Sequence, residues 1–280
     1  MLIVPRRRGL FYPTYVQDYL DRVTAADVAA GNTQGLELGV TDAFSTTLQD
    51  LVSDGLLGIS GSVIAQEASI IKAAAIMAGA RTMAGALVPL VGPAPTNFNF
   101  LPPDYNRKTG LLGNGSTKRL DSNRAGNADP QNSKHLAMFI GETGIKTSFS
   151  NTMGDGENGN EVVSQLAITP DASQIATRLN TFTGIASNLY SGVGFYGVSR
   201  NNSATYLVRG SATSNTVTMA SQTPNTANTG VFMRGKNPGA GPTQFFDGRV
   251  SFYSIGEAID LAQLDTRVSA LMTAIDGAIP

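Results

Sequence analysis

The stretch FFDGRVSFYSIGEAIDLAQLDTRVSALMTAI, Phe245–Ile275, carries the reading of the fold. Its first part reads as a strand, RVSFYSIG. Val250 and Phe252 fall on one face and Tyr253 and Ile255 on the other. A strand that is apolar on both faces needs cover on both sides. The second part reads as a helix over residues 260–276. Asp260 is placed as its N-cap, with Gln263 at the capping-box position three residues on. Leu261, Leu264, Val268, Leu271, Met272 and Ile275 make one apolar stripe, and Gly277 is available to end the helix. Asp265 reads as a solvated helix residue.

Upstream of that stretch the texture is β. HLAMFIGE, VVSQLAITP, GFYGVSR, ATYLVRG, NTVTMAS and GVFMRG are short apolar or alternating runs, each bounded by Gly, Asn, Ser or Pro. This is the pattern of an antiparallel sandwich. From Asn201 to Gly230, sixteen of thirty residues are Asn, Ser or Thr and only Arg209 is charged, which predicts hairpins and polar loops there. The first ninety residues read differently. YVQDYLDRV places Tyr15, Val16, Tyr19, Leu20 and Val23 on one helical face. TDAFSTTLQDLVSDG offers Thr41 or Asp42 as a cap, Phe44, Leu48, Leu51 and Val52 as a stripe, and Gly55 as a stop. A third helix is expected over Ser62–Ala78. Pro89, Pro93, Pro95, Pro102 and Pro103 then remove backbone donors and forbid helix. The expected organisation is therefore α+β. A helical attachment or oligomerisation segment covers residues 1–92 and a proline-rich linker 93–109. An antiparallel β-sandwich closed by an amphipathic helix covers 110–280.

Composition narrows the function classes. Charged residues are 15% of the 280, glycines number 31, and the net charge is −1. No global field draws the chain to nucleic acid or an anionic membrane. The one basic cluster, Pro5–Arg8, reads as a solvated tail. With no cysteine, disulfides, zinc–thiolate sites and thiol nucleophiles are excluded. MLIV precedes the arginines and no apolar segment follows, so no signal peptide is expected. Gln66, Glu67, Lys72 and Arg81 interrupt the most apolar stretch, Ser62–Val91, so no membrane span is expected either.

GLLGNGSTKRLDS, Gly110–Ser122, resembles the opening strand pair of concanavalin A-like, laminin-G-like jelly rolls. The FFDGRV strand followed by the Leu–Asp helix start resembles their closing signature. More narrowly, the pairing of ALVPLVGPAP with NGSTKRLD and FYSIGEAIDLAQLDTRVSALM is similar to virion structural proteins of tailed bacteriophages. The resemblance implies a non-enzymatic tail-fibre, baseplate or other appendage subunit. It would be homo-oligomeric, with a trimer favoured, bound to other virion proteins and assembled in the bacterial cytoplasm. The alternatives it leaves open are a carbohydrate-binding module that recognises the host receptor, and a capsid decoration or cement protein.

Chemistry-bearing residues are few. His135 is the only histidine, and no G-x-S-x-G elbow accompanies it, so it reads as a structural or surface residue rather than a catalytic one. Glu142, Glu157 and Glu161 lack the spacing of a glucanase carboxylate pair. The acidic loop MGDGENGNE offers Asp155, Glu157, Asn158 and Glu161 as weak metal ligands, although it departs from the EF-hand pattern. No Walker loop and no G-x-G-x-x-G before a helix is present, so no cofactor is expected. A sugar site needs an aromatic platform flanked by amides and carboxylates. Tyr190, Tyr196, Tyr206, Asn201 and Asn202 are the candidates, with Phe195 beside them, though aromatics at alternate strand positions more often fill a core.

Overall fold

A computed structural model of the chain describes residues 12–145, 149–156, 162–169, 173–233 and 244–280. Helices α1 (Thr14–Ala29) and α2 (Leu38–Ser53) come first, then a hairpin of β1 (Gly58–Ser60) and β2 (Val63–Ala65). Strand β3 (Ile71–Ile76), the short helix α3 (Met83–Ala86), β4 (Pro89–Val91) and β5 (Thr96–Phe98) follow. Next come β6 (Tyr105–Asn106), β7 (Gly110–Leu112), β8 (Arg119–Ala125), β9 (Lys134–Glu142) and β10 (Ser150–Gly154). Strands β11 (Val163–Ile168), β12 (Ile175–Thr181), β13 (Ile185–Ser187), β14 (Gly194–Arg200) and β15 (Thr205–Gly210) continue the chain. It ends with β16 (Thr213–Thr218), β17 (Asn228–Val231), β18 (Arg249–Gly256) and α4 (Leu261–Ala278).

The strands build two antiparallel sheets. One has seven strands in the order β13-β12-β11-β10-β17-β8-β5. The other has nine: the path β16-β15-β14-β9-β18-β3-β4, with β6 and β7 attached beside β18. One apolar core lies between the sheets and includes Leu120, Leu136, Met138, Leu166, Leu179, Tyr196, Tyr206, Tyr253 and Ile255. A second core lies between the nine-stranded sheet and the helices. There Ile71, Ala74, Ile76, Ala137, Phe195 and Phe252 meet Tyr19, Phe44, Leu48, Leu264, Val268 and Ile275. The molecule thus has three layers: helices, nine-stranded sheet, seven-stranded sheet.

Strand β18 is buried on both faces, as its sequence requires, with one change. Val250 belongs to the core between the sheets, together with Tyr253 and Ile255, while Phe252 faces the helices. The register against β9 shifts between Val250 and Phe252. A bulge inserts one residue and turns Val250 to the opposite face from the one simple alternation predicts.

The helix expected over Ser62–Ala78 is not formed. Val63–Ala65 is a hairpin strand, and Ile71–Ile76 pairs antiparallel with β18. Helix propensity is a weak prior, and here it loses to a tertiary slot. Ala73 and Ala75 face one core and Ala74 and Ile76 the other, a period of two that only a strand satisfies. Strand pairing also runs through the boundary expected at residue 92. Strands β3 and β4 belong to the nine-stranded sheet, and β5, inside the expected linker, pairs with β8.

The helix ends follow local chemistry. Asp260 caps α4 by accepting from Ala262 N at 2.8 Å and Gln263 N at 3.3 Å. The Gln263 side chain goes to Asp54 rather than back to the cap. Gly277 lies inside the last turn, because the helix runs on to Ala278. In α2 the N-cap position is Glu37; Thr41 bonds back to its carbonyl, and Asp42 accepts from the Tyr12 hydroxyl at 2.8 Å. Gly55 does follow the end of α2, with a left-handed φ of 73°.

Close approach of α4 to the sheet and to α2 depends on two glycines. A Cβ on Gly197 of β14 would stand 2.8 Å from Leu261 Cδ2, and one on Gly39 of α2 would stand 2.8 Å from Ala278 Cβ. Ion pairs complete the attachment. Arg267 of α4 bonds Asp50 at 3.0 Å and Asp54 at 2.8 Å on α2. Asp265, expected in solvent, is buried and pairs with Arg209 of β15 at 2.8 Å. Asp27 of α1 is also buried, and accepts from Arg81 N, Thr82 N and Thr82 Oγ1 at 2.7–2.9 Å.

Two outcomes follow from this packing. Leu264 is fully buried between α4 and the sheet, so Leu264→Ala should cost about 3 kcal/mol, read from the urea midpoint. His135 is fully buried on β9, with Nδ1 at 2.6 Å from the Glu257 carbonyl and Nε2 at 3.1 Å from Ser254 Oγ. Burial pulls its pKa down from 6.5 to about 4. The folded ring therefore stays neutral to about pH 4, while the unfolded chain protonates near 6.5. Between those values the unfolded state binds more protons, so stability falls as pH falls, by about 3 kcal/mol in all from this group. Urea titrations at pH 7, 6 and 5 should show that decline, and His135→Gln should flatten it.

Candidate functional site

The acidic loop does not present Asp155 to a metal ion. Asp155 is buried against Lys134, whose Nζ lies 2.9 Å from Oδ2, both side chains being at most 1% exposed. Lys134 Nζ also donates to the Gly126 carbonyl at 2.8 Å. The other carboxylate oxygen accepts from Ser164 N at 2.7 Å and Asn225 Nδ2 at 2.9 Å. An ammonium group therefore already fills the place a cation would take beside this carboxylate. Glu157, Asn158 and Glu161 lie outside the described residues.

The aromatic and amide candidates for a sugar site are not brought together. Tyr196 and Tyr206 are buried in the core between the sheets, and Phe195 is buried on the helix side. Tyr196 OH accepts from Ser191 N and donates to the Gly192 carbonyl; Tyr206 OH donates to the Thr177 carbonyl. As core members with their hydroxyls bonded inside, neither ring forms an exposed platform. Tyr190 is half-buried, with its ring centroid 5.4 Å from that of Tyr196, and burial pushes its pKa up to about 12. Asn201 and Asn202 are exposed but sit at the far end of β14, roughly 20 Å from Tyr190 by the rise of the strand. Asn202 spends its carbonyl on its own turn, accepting from Ala204 N and Thr205 N at 2.8 Å.

A more coherent arrangement lies on the outer face of the seven-stranded sheet. Leu166, Leu179, Met153, Val231 and Leu120 point into the core, so their neighbours in sequence point outward. Register then aligns one row across the sheet. Arg178 stands opposite Gln165, Gln165 opposite Gly154, Gly154 opposite Gly230, and Gly230 opposite Asp121. Asp121 in turn stands opposite Thr96, with Phe98 and Arg119 as the adjacent cross-strand pair. The Met233 side chain lies over Gly230 at mid-row. At the β5–β8 end, the Arg119 guanidinium stacks 3.8 Å from the Phe98 ring centroid. Asp121 there accepts from Asn228 Nδ2 at 3.2 Å. This end combines an aromatic–guanidinium stack, a carboxylate and exposed amides.

The β10–β12 end is distinguished by what its polar atoms lack. Seven buried side-chain nitrogen or oxygen atoms have no hydrogen-bond partner among the described residues. Three of them, Asn151 Oδ1, Gln165 Oε1 and Arg178 Nη1, lie on this one face of three adjacent strands. Asn151 stands opposite Ala167, and Gln165 directly opposite Arg178. Burial lowers the pKa of Arg178, as it does that of Arg119. A buried polar atom left unsatisfied costs about 1–3 kcal/mol. Two orphan acceptors beside one orphan donor are complementary to hydroxyl groups, each of which both donates and accepts. Sequence reasoning missed this row, because its members come from six separate strands and share no spacing.

A second concavity, a polar cleft of about 290 Å³, lies between the β2–β3 and β8–β9 connections. Its lining includes Gln66, Glu67, Lys72, Arg124, Asp129 and Glu257. Most of its charges are already matched within the chain: Lys72 with Glu257 at 3.1 Å, and Arg124 Nε with Asp129 Oδ2 at 3.1 Å. It reads as a structural ion-pair seam. No described helix is long and apolar enough to cross a membrane.

No family model and no curated protein matches the sequence. Solved structures similar in part include a Trypanosoma rangeli sialidase mutant displaying trans-sialidase activity. It is 12% identical with a TM-score of 0.44, over 84% of this chain and 40% of that one. The binding domain of botulinum neurotoxin serotype D is 7% identical with a TM-score of 0.47, over 72% and 50%. Tailspike protein 2 of an Escherichia coli O157:H7 bacteriophage is 15% identical with a TM-score of 0.39, over 66% and 27%. The chain thus spans half or less of the length of each of these proteins. Likeness at this level assigns no role to any residue described above.

Proposed function

We propose that this chain is a non-enzymatic subunit of a bacteriophage virion appendage, such as a tail fibre or baseplate. On this reading the outer face of its seven-stranded sheet contacts host-surface glycans. The observation that carries the binding role is the cluster of orphan polar atoms at Asn151, Gln165 and Arg178, which the hydroxyls of a saccharide would satisfy. Phe98, Arg119 and Asp121 extend the same face toward β5. The virion assignment rests on the sequence resemblance of the jelly-roll opening and closing segments.

The binding rather than hydrolytic reading is supported by the carboxylate count among the described residues. Glycoside hydrolysis ordinarily needs two carboxyl groups flanking one bond. Among the described residues the row holds one, Asp121. The only histidine is buried within the nine-stranded sheet layer and bonded to a carbonyl and a serine. The helices do not supply the attachment surface that the sequence suggests. Their apolar residues pack on the sheet and on α4 of the same chain. Attachment to a particle would then use another surface, and the apolar faces expected to build a trimer through residues 1–92 are spent within the chain.

Saturation-transfer NMR against host-surface polysaccharides, with an array of neutral and acidic glycans, tests the binding site. Arg178→Ala and Gln165→Ala should weaken binding by about tenfold or more, the loss of one hydrogen bond that involves a charged or buried group. Tyr190→Ala should leave it unchanged. Binding that is indifferent to both row variants would overturn the assignment. Release of new reducing ends from the bound glycan would overturn the non-enzymatic role.

A further inference from the structure

Beside the two-residue branch strand β6, the two large sheets end in four edge strands, and three of these are short. Strands β4, β5 and β13 have three residues each, and β4 begins with Pro89, which has no N–H to offer. The fourth edge, β16, has six residues. It contains no charge, no proline and no register shift against β15. All its residues except Val217 are exposed. Natural sheets blunt a long edge with lysine, proline, a bulge or a covering element, because unpaired N–H and C=O groups template pairing with another strand. Among the described residues none of these devices is present on β16. Leu207, the β15 neighbour of Thr216, is 41% exposed, so the helix layer stops short of this rim.

We propose that β16 pairs antiparallel with β16 of a second copy of this chain, joining two nine-stranded sheets across a two-fold axis. The phase of the strand selects the register. Met219 N donates to the Ala204 carbonyl at 2.8 Å, so odd-numbered residues of β16 turn their backbone groups toward β15. Ser214, Thr216 and Thr218 therefore direct theirs outward. These three positions are symmetric about Thr216. A two-fold axis there sets Thr216 against Thr216 of the second copy, and Ser214 against its Thr218. The side chains brought together are hydroxyls and β-branched residues, which pair well across strands, and no like charges meet. The same surface would suit a foreign strand only if that strand were as neutral as this one; self-complementarity favours the second copy.

The absence of cysteine from the native chain makes the register directly testable. In a hydrogen-bonded antiparallel pair the two Cα atoms lie about 5.5 Å apart, within disulfide range. Thr216→Cys should cross-link to a covalent dimer under mild oxidation, whereas Thr273→Cys, on the exposed side of α4, should not. Analytical ultracentrifugation of the full native chain should show a dimer. Thr216→Pro, which removes an outward N–H and leaves the β15 ladder intact, should weaken it by about tenfold or more at unchanged far-ultraviolet circular dichroism. Should the proline variant misfold, Thr216→Lys supplies the same comparison, since it sets two cations against each other across the axis. A native monomer, a trimer, a dimer that survives both substitutions, or a monomer that accepts only a foreign strand would each overturn the proposal. None of these outcomes touches the glycan reading, whose residues lie on the other sheet.

Discussion

Strand β18 must be buried on both faces, and the rest of the molecule is arranged around that requirement. Tyr253 and Ile255 belong to the core between the sheets, and Phe252 to the core under the helices. A sandwich of two sheets covers only one face of such a strand. The other face needs a third layer, and α1, α2 and α4 supply it. The terminal helix is therefore the outer wall of a second core. Its leucine stripe shares one core with Ala137 of β9 and Phe195 of β14, and Gly197 allows Leu261 to approach the backbone of β14. Hydrophobic burial supplies the drive, and the double-faced central sheet determines where it acts.

In a chain so poor in charge, several of the few ionic groups join one element to another. Arg267 ties α4 to α2, and Asp265 ties α4 to β15. Asp27 fixes α1 to the segment before α3 through backbone and hydroxyl donors. Lys134 and Asp155 form a fully buried pair whose remaining valences go to a carbonyl, a backbone N–H and an amide. Buried pairs of this kind add little net stability, but losing one partner strands a charge in the interior. They act as register pins between elements that apolar contact alone would leave free to slide.

The candidate glycan face contrasts with those satisfied networks. Lys134, Asp155 and His135 are all bonded inside the protein, as buried polar groups normally are. Asn151, Gln165 and Arg178 depart from that rule together, on one face of three neighbouring strands. Scattered orphans would read as ordinary imperfections of packing. Grouped and buried donors and acceptors of complementary kind are the feature on which the proposed glycan contact rests.

The sequence by itself determined the elements whose periodicity is strong and local. The two-faced strand and capped helix at the end of the chain and the stripes of α1 and α2 were all legible in it. Capping and amphipathic spacing act within a few residues, so they survive without tertiary context. Only the tertiary structure decided that Ile71–Ile76 is a strand, since an alanine-rich run suits a helix until β18 offers it a ladder. The same holds for the bulge that turns Val250, for the burial of Asp265, and for the ammonium beside Asp155. The candidate site belongs to this second group as well. Its residues come from strands distant in the chain and meet only through cross-strand register, a long-range property that no spacing along one chain records.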